Sequence, residues 1–136
     1  MMQKVTPFLM FTGRAEEAMN FYVSLLPDSQ VLSISRYGEN EAGPAGTVRL
    51  AEFSLAGQHI MCIDSGIEHG FSFTPSTSLY VACRSAQEVD TLFAGLSEGG
   101  QVLMPLDAYP FSARYAWLND RFGVSWQLAL VEGESS

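Results

Sequence analysis

Few side chains in this sequence could do chemistry, and those few are widely spaced. Glu52 stands inside the apolar run Val48 to Leu55, where a carboxylate is costly unless it finds a partner. His59 follows just beyond the Ala56-Gly57 turn, so the two could form a general acid–base pair or contribute to an unusual metal site. Each also has a plainer reading: Glu52 in an ion pair with Arg49 or Arg114, and His59 as a solvated residue near a hairpin tip. His69, between Gly66 and Gly70, reads as a loop residue. Cys62 and Cys83 lie in apolar strand-like runs with no CxxC spacing, which predicts reduced core thiols rather than a disulfide. No catalytic set is assigned.

The elements that must carry these groups are those of one domain-sized chain of 136 residues, 47% of them hydrophobic, with a net charge of -8. Only seven Lys plus Arg are present, so neither a nucleic-acid backbone nor an anionic membrane surface is an expected partner. Residues 1 to 11 read as neither a secretory signal nor a membrane span, and a cytoplasmic location is expected. The polar tail from Val131 to Ser136 is expected to fray.

Val5 to Phe11 reads as a strand, and the Thr12-Gly13-Arg14 turn leads to a helix with Ala18, Phe21, Tyr22, Leu25 and Leu26 on one stripe. Pro27-Asp28 ends that helix. Val31 to Tyr37 alternates as a strand, a glycine-rich and mobile loop holds Gly38, Gly43 and Gly46, and Ala56-Gly57 joins strands Val48 to Leu55 and Gln58 to Ile63. The pattern then restarts. Ser78 to Cys83 is a strand, and Ser85 with Glu88 forms a capping box opening a helix with Val89, Leu92, Phe93 and Leu96 on one stripe. Gly99-Gly100 stops it. Gln101 to Leu106 is a strand, Asp107 to Ser112 a loop around Pro110, and Ala113 to Asn119 with Val124 to Leu130 a closing hairpin.

The halves repeat. An ungapped slide of 71 residues lays 8–32 on 79–103, matching Ala15 with Ala86, Glu17 with Glu88 and Gln30-Val31-Leu32 with Gln101-Val102-Leu103. Arg49 falls on Arg114, and Gly57 falls on Gly123 after a one-residue insertion. The organisation is a single domain over 1–136: module one 4–64, connector 65–77, module two 78–131, each module strand-helix-strand-strand-strand.

This duplicated module resembles the vicinal oxygen chelate superfamily, the glyoxalase and bleomycin-resistance fold. Thr6-Pro7-Phe8-Leu9, Ala15-Glu16-Glu17-Ala18 with Phe21-Tyr22, Phe71-Ser72-Phe73-Thr74 and Asp120-Arg121-Phe122-Gly123-Val124-Ser125-Trp126-Gln127 are similar to the PhnB-like family, commonly labelled 3-demethylubiquinone-9 3-methyltransferase. The resemblance implies an α+β fold of two tandem βαβββ modules, sheets curled around a cavity with helices outside, and a homodimer. In metal-using members it implies four inward ligand positions, which fall here at Pro7, Met61, Ser78 and Gln127. Proline offers no side-chain donor and methionine only a soft one, so the usual metal site is absent; serine and glutamine suit a hydrogen-bonded pocket for a neutral or anionic ligand.

With Met61 and Gln127 inward, alternation turns His59 and Ser125 inward and sends Ile60, Cys62, Trp126 and Leu128 toward the helices. Glu52, His59, Tyr80, Tyr115, Trp117 and Gln127 are then the expected ligand-binding residues, with Trp117 and Tyr80 open to an ordinary core role. The expected function is metal-free, cofactor-free binding of a small organic molecule. The alternative is an enzyme, metal-dependent through Glu52 and His59 or transferring a methyl group. Methyl transfer from S-adenosylmethionine would call for a glycine-rich turn between a parallel strand and a helix; Gly38, Gly43 and Gly46 lie between strands, and Gly99-Gly100 follows a helix. A purely structural role is the third reading.

Overall fold

The computed structural model describes residues 3–131, so the expected fraying beyond Val131 lies outside the described residues. The chain divides into two compact units with the boundary between Gly70 and Phe71. Each unit carries one helix and one four-stranded mixed sheet.

The first unit runs β1 (Phe8–Phe11), α1 (Ala15–Leu25), β2 (Gln30–Arg36), β3 (Val48–Leu55) and β4 (Gln58–Asp64). Its strand order is β1-β4-β3-β2, with β1 parallel to β4 and the other pairs antiparallel. Ala56 and Gly57 both have positive φ, 50° and 93°, as the tight two-residue turns that match strand twist require. One face of the sheet buries Ala51, Phe53, Ile60 and Cys62, and α1 packs there through Ala15, Ala18, Met19 and Tyr22. Phe21 and Leu25, expected on the buried stripe, are only half-buried. The two alanines explain the rotation, because small residues bring the helix backbone close and Met19 and Tyr22 fill what remains.

The second unit repeats the plan with β5 (Leu79–Cys83), α2 (Ala86–Ser97), β6 (Gln101–Tyr109), β7 (Ser112–Asn119) and β8 (Ser125–Leu130), in the order β5-β8-β7-β6. Val89, Leu92 and Leu96 of α2 and Ala116, Leu118, Trp126 and Leu128 of the sheet form its core. Ser85 Oγ accepts from the Glu88 N–H at 3.1 Å, and the Glu88 carboxylate accepts from the Arg84 N–H at 2.9 Å, one residue earlier than in the reciprocal box. Gly99 turns the chain at φ 74°, and a methyl group at Gly100 would collide with the Asn119 carbonyl.

Three features depart most from expectation. β1 begins at Phe8, not Val5. The loop expected at 107–112 is the end of a hairpin: β6 continues to Tyr109, which pairs with Ser112 and leaves only Pro110 and Phe111 at the tip. The Tyr109 and Phe111 rings stack at 5.7 Å and both meet Tyr115 edge-on, at 5.6 and 4.8 Å, and that packing outweighs the local turn signal of Pro110. Finally, the glycine-rich stretch after β2 is pinned. Tyr37 exchanges backbone bonds with Gly46 and Thr47, donates its hydroxyl to the Asp64 carbonyl at 3.1 Å, and lies so close to Gly43 that any side chain there would strike its ring.

The repeat also needs a gap. Ser65 N–H donates to the Phe11 carbonyl as Val131 N–H does to Cys83, so Phe11 corresponds to Cys83, an offset of 72, whereas Ala15 and Ala86 still open the helices at 71. The extra residue lies in the turn containing Gly13, whose φ of 117° only glycine adopts freely. Among the described residues no helix is long and apolar enough to cross a membrane.

Candidate functional site

In each unit the helix covers one sheet face, and the candidate side chains project from the other. On the first sheet, register places Phe8, Met61, Glu52 and Ser33 in one row across β1, β4, β3 and β2. His59 pairs with Ser54 in the next row, so it is a diagonal neighbour of Glu52 on the same face. Among the described residues neither the Glu52 carboxylate nor the His59 ring makes a hydrogen bond or ion pair. The arginines expected to compete for Glu52 are engaged elsewhere: Arg49 donates to Ser35 Oγ, and Arg114 holds Asp90 of α2 at 2.5 Å.

On the second sheet, Tyr80, Gln127, Trp117 and Met104 form the corresponding row, with Ala82, Ala129, Tyr115 and Asp107 beside it. A chain of side-chain hydrogen bonds runs over this face. The Tyr115 hydroxyl donates to Gln127 Oε1 at 2.6 Å, and Gln127 Nε2 donates to Ser78 Oγ at 2.8 Å. Trp117 Nε1 donates to the buried Ser125 Oγ at 2.9 Å. Burial, then the nearby Tyr80 and Tyr109, push the Tyr115 hydroxyl above its ordinary pKa, so it remains a donor at neutral pH. Tyr80 is exposed, at 59%.

The structure therefore brings Tyr80, Tyr115, Trp117 and Gln127 together on one sheet face and Glu52 and His59 on another. The one-residue gap corrects Pro7. Phe8 shares the open face with Met61, while Pro7 lies one residue out of phase and contributes its carbonyl to the Met61 N–H at 2.9 Å. Tyr109 and Phe111, which wall Tyr115, escaped the sequence reading; their spacing either side of Pro110 was the available signal.

The buried acids missed by that reading are architectural. Asp64 accepts from the backbone N–H groups of Gly13 at 2.6 Å, Ala15 at 3.0 Å and Val48 at 3.0 Å, tying the start of α1 and the start of β3 to the end of β4. Asp120 accepts from Phe122 and Val124 N–H and from Trp126 Nε1, which closes the corner around Gly123 (φ 95°). Most of the Asp120-to-Gln127 motif is thus spent on a turn. Cys62 and Cys83 are buried free thiols, both pushed up to about 12: burial dominates, with Asp64 adding for Cys62 and Glu88 for Cys83. In the connector, Ser65 Oγ lies 2.9 Å from His69 Nε2. Among the described residues no three His, Cys, Asp or Glu side chains group to hold a metal ion.

Two βαβββ units of one topology define the glyoxalase and bleomycin-resistance class of fold. A glyoxalase/bleomycin resistance protein/dioxygenase domain from Frankia shares it, with TM-score 0.67 and 17% identity over 97% of this chain and 99% of that one. So does the fosfomycin resistance protein FosX of Listeria monocytogenes, solved with Mn(II) and dihydroxypropylphosphonic acid, with TM-score 0.65 and 13% identity over 98% and 97%. The family model for 3-demethylubiquinone-9 3-methyltransferase matches residues 3–129, and the chain belongs to that family. The PhnB protein of Bacillus cereus is 58% identical over 95% of this chain and all of that one, with TM-score 0.93. No protein of curated function matches.

Proposed function

We propose that the chain binds a small organic molecule at its open sheet faces, without a metal ion, and works in the cytoplasm as a homodimer. The observation that carries this reading is the Tyr115–Gln127–Ser78 hydrogen-bond chain on a face lined by Tyr80, Trp117 and Phe111. Aromatic walls with a few oriented polar atoms suit a small ligand. Gln127 keeps a second N–H and Ser78 a hydroxyl hydrogen to offer it.

The donor set argues against the superfamily's usual metal. Of the four positions, Met61 supplies a thioether, Pro7 stands out of phase, and Ser78 and Gln127 bond to each other. None is an imidazole, thiolate or carboxylate. Glu52 and His59 share a face, but two donors fall short of the three protein ligands usual at a catalytic centre. The family's methyltransferase label finds no support in the topology: among the described residues each sheet has a single parallel pair, and no strand-to-helix turn is rich in glycine.

Untagged protein purified without a metal column should contain no stoichiometric metal and show no thermal shift with Zn, Mn, Ni or S-adenosylmethionine. Native mass spectrometry should find an organic adduct that is lost in Tyr115→Phe and Gln127→Ala. A metal that survives dialysis at one per chain, or a shift with S-adenosylmethionine, would overturn the reading.

A further inference from the structure

The first unit's open face holds a charge that folding does not require. Glu52 sits half-buried between Met61 and Ser33, with Phe8 beyond Met61 and Leu50 in the next row. Phe8 is 53% exposed and Leu50 36%, so apolar surface lies open beside the carboxylate. No hydrogen bond or ion pair reaches it among the described residues, and the unit's arginines are committed: Arg14 to Glu17, Arg36 to Glu16, Arg49 to Ser35.

The second unit supplies an internal control. Trp117 pairs with Gln127 as Glu52 pairs with Met61, so this position of the fold accepts an aromatic ring that donates to a neighbouring serine. A carboxylate here is therefore not a demand of the architecture. A carboxylate left open beside exposed apolar surface suits a site that takes its partner from solvent. Of the titratable groups on this face, His59 is the diagonal neighbour, and it makes no bond to Glu52.

We infer that the ligand carries a cationic or N–H-donating nitrogen that docks on Glu52, with an apolar body lying across Phe8, Met61 and Leu50. This rests on the small-molecule reading above and specifies its chemistry. The chain's net charge of -8 favours the approach of a cation over an anion.

The test compares three probes of one shape, 2-phenylethylamine, 2-phenylethanol and 3-phenylpropionate, by NMR shift mapping up to about 10 mM, a range suited to ligands so small. The amine should move the amides of Leu50 to Ser54 and His59 to Ile63. Its affinity should fall about tenfold in Glu52→Gln, which removes one charge-assisted bond, while the alcohol's stays unchanged. Glu52→Gln should melt no lower than the parent, since it removes an unpaired charge. Equal binding of amine and alcohol, preference for the propionate, or a destabilised Glu52→Gln overturns the inference and leaves the open-face reading standing. Failure of all three probes to shift residues on either open face overturns both.

Discussion

Asp64 and Asp120 are almost fully buried, at 2% and 3% exposure, yet each is surrounded by donors. Three N–H groups converge on either carboxylate, which is how a fold tolerates buried charge. Glu52 is the reverse, a half-buried carboxylate that no donor reaches among the described residues, and that contrast is why it, and not Asp64 or Asp120, carries the proposed ligand contact. The thiols follow the same logic of burial. Held protonated to about 12, Cys62 and Cys83 should resist iodoacetamide at pH 8 in the native protein and react on unfolding. The linkage sign is definite. Unfolded thiols ionise near 9 and the folded ones near 12, so the folded chain holds more protons between these values and stability must fall as pH rises from 9 toward 12. A denaturation midpoint that is flat across that window would contradict the assignment.

At the scale of elements, the two helices solve one problem differently. α2 opens on its own capping serine, Ser85, whereas Arg14 gives α1 no side-chain cap and the Asp64 carboxylate arrives from the sheet. Ser85→Ala should cost about 1 kcal/mol, the usual loss of a cap. Asp64→Ala strands three N–H groups at once and should cost about 3 kcal/mol or more. Guanidinium melts of the two variants check the ranking, and equal losses would show that Asp64 is not the hub its geometry makes it. The device was invisible in sequence because Asp64 lies 49 positions from Ala15 and looks like the polar end of a strand. The Ser85 box was visible because its partners lie three apart. The β6–β7 hairpin failed for a related reason: Pro110 speaks locally for a loop, and the answer came from Tyr115 on the neighbouring strand.

For the molecule as a whole, large apolar side chains outside the proposed ligand contacts also remain exposed on the sheets, Val31, Leu32 and Val102 among them. Of the outer strands, β2 and β6 are broken by register shifts and β6 carries Pro105, while β1 and β5 are only 4 and 5 residues long, features that discourage edge-to-edge pairing. Association should therefore use faces. Light scattering is expected to give twice the mass of one chain, persisting in 1 M salt because hydrophobic contacts are not screened. A monomer at micromolar concentration would remove the dimer from the proposal.

What the sequence determined by itself was whatever depends on local period and near neighbours: two modules, the helices, the Ala56-Gly57 hairpin, buried cysteines, and the alternation that sets Glu52 and Gln127 opposite the helix faces. Tertiary structure alone decided which acid would be spent on backbone donors and which left open, and it moved Pro7 out of phase by one turn residue at Gly13. The physical reason is that hydrogen-bond partners and strand register are properties of pairs distant along the chain. A single added residue leaves every local pattern intact while exchanging the two faces of a strand.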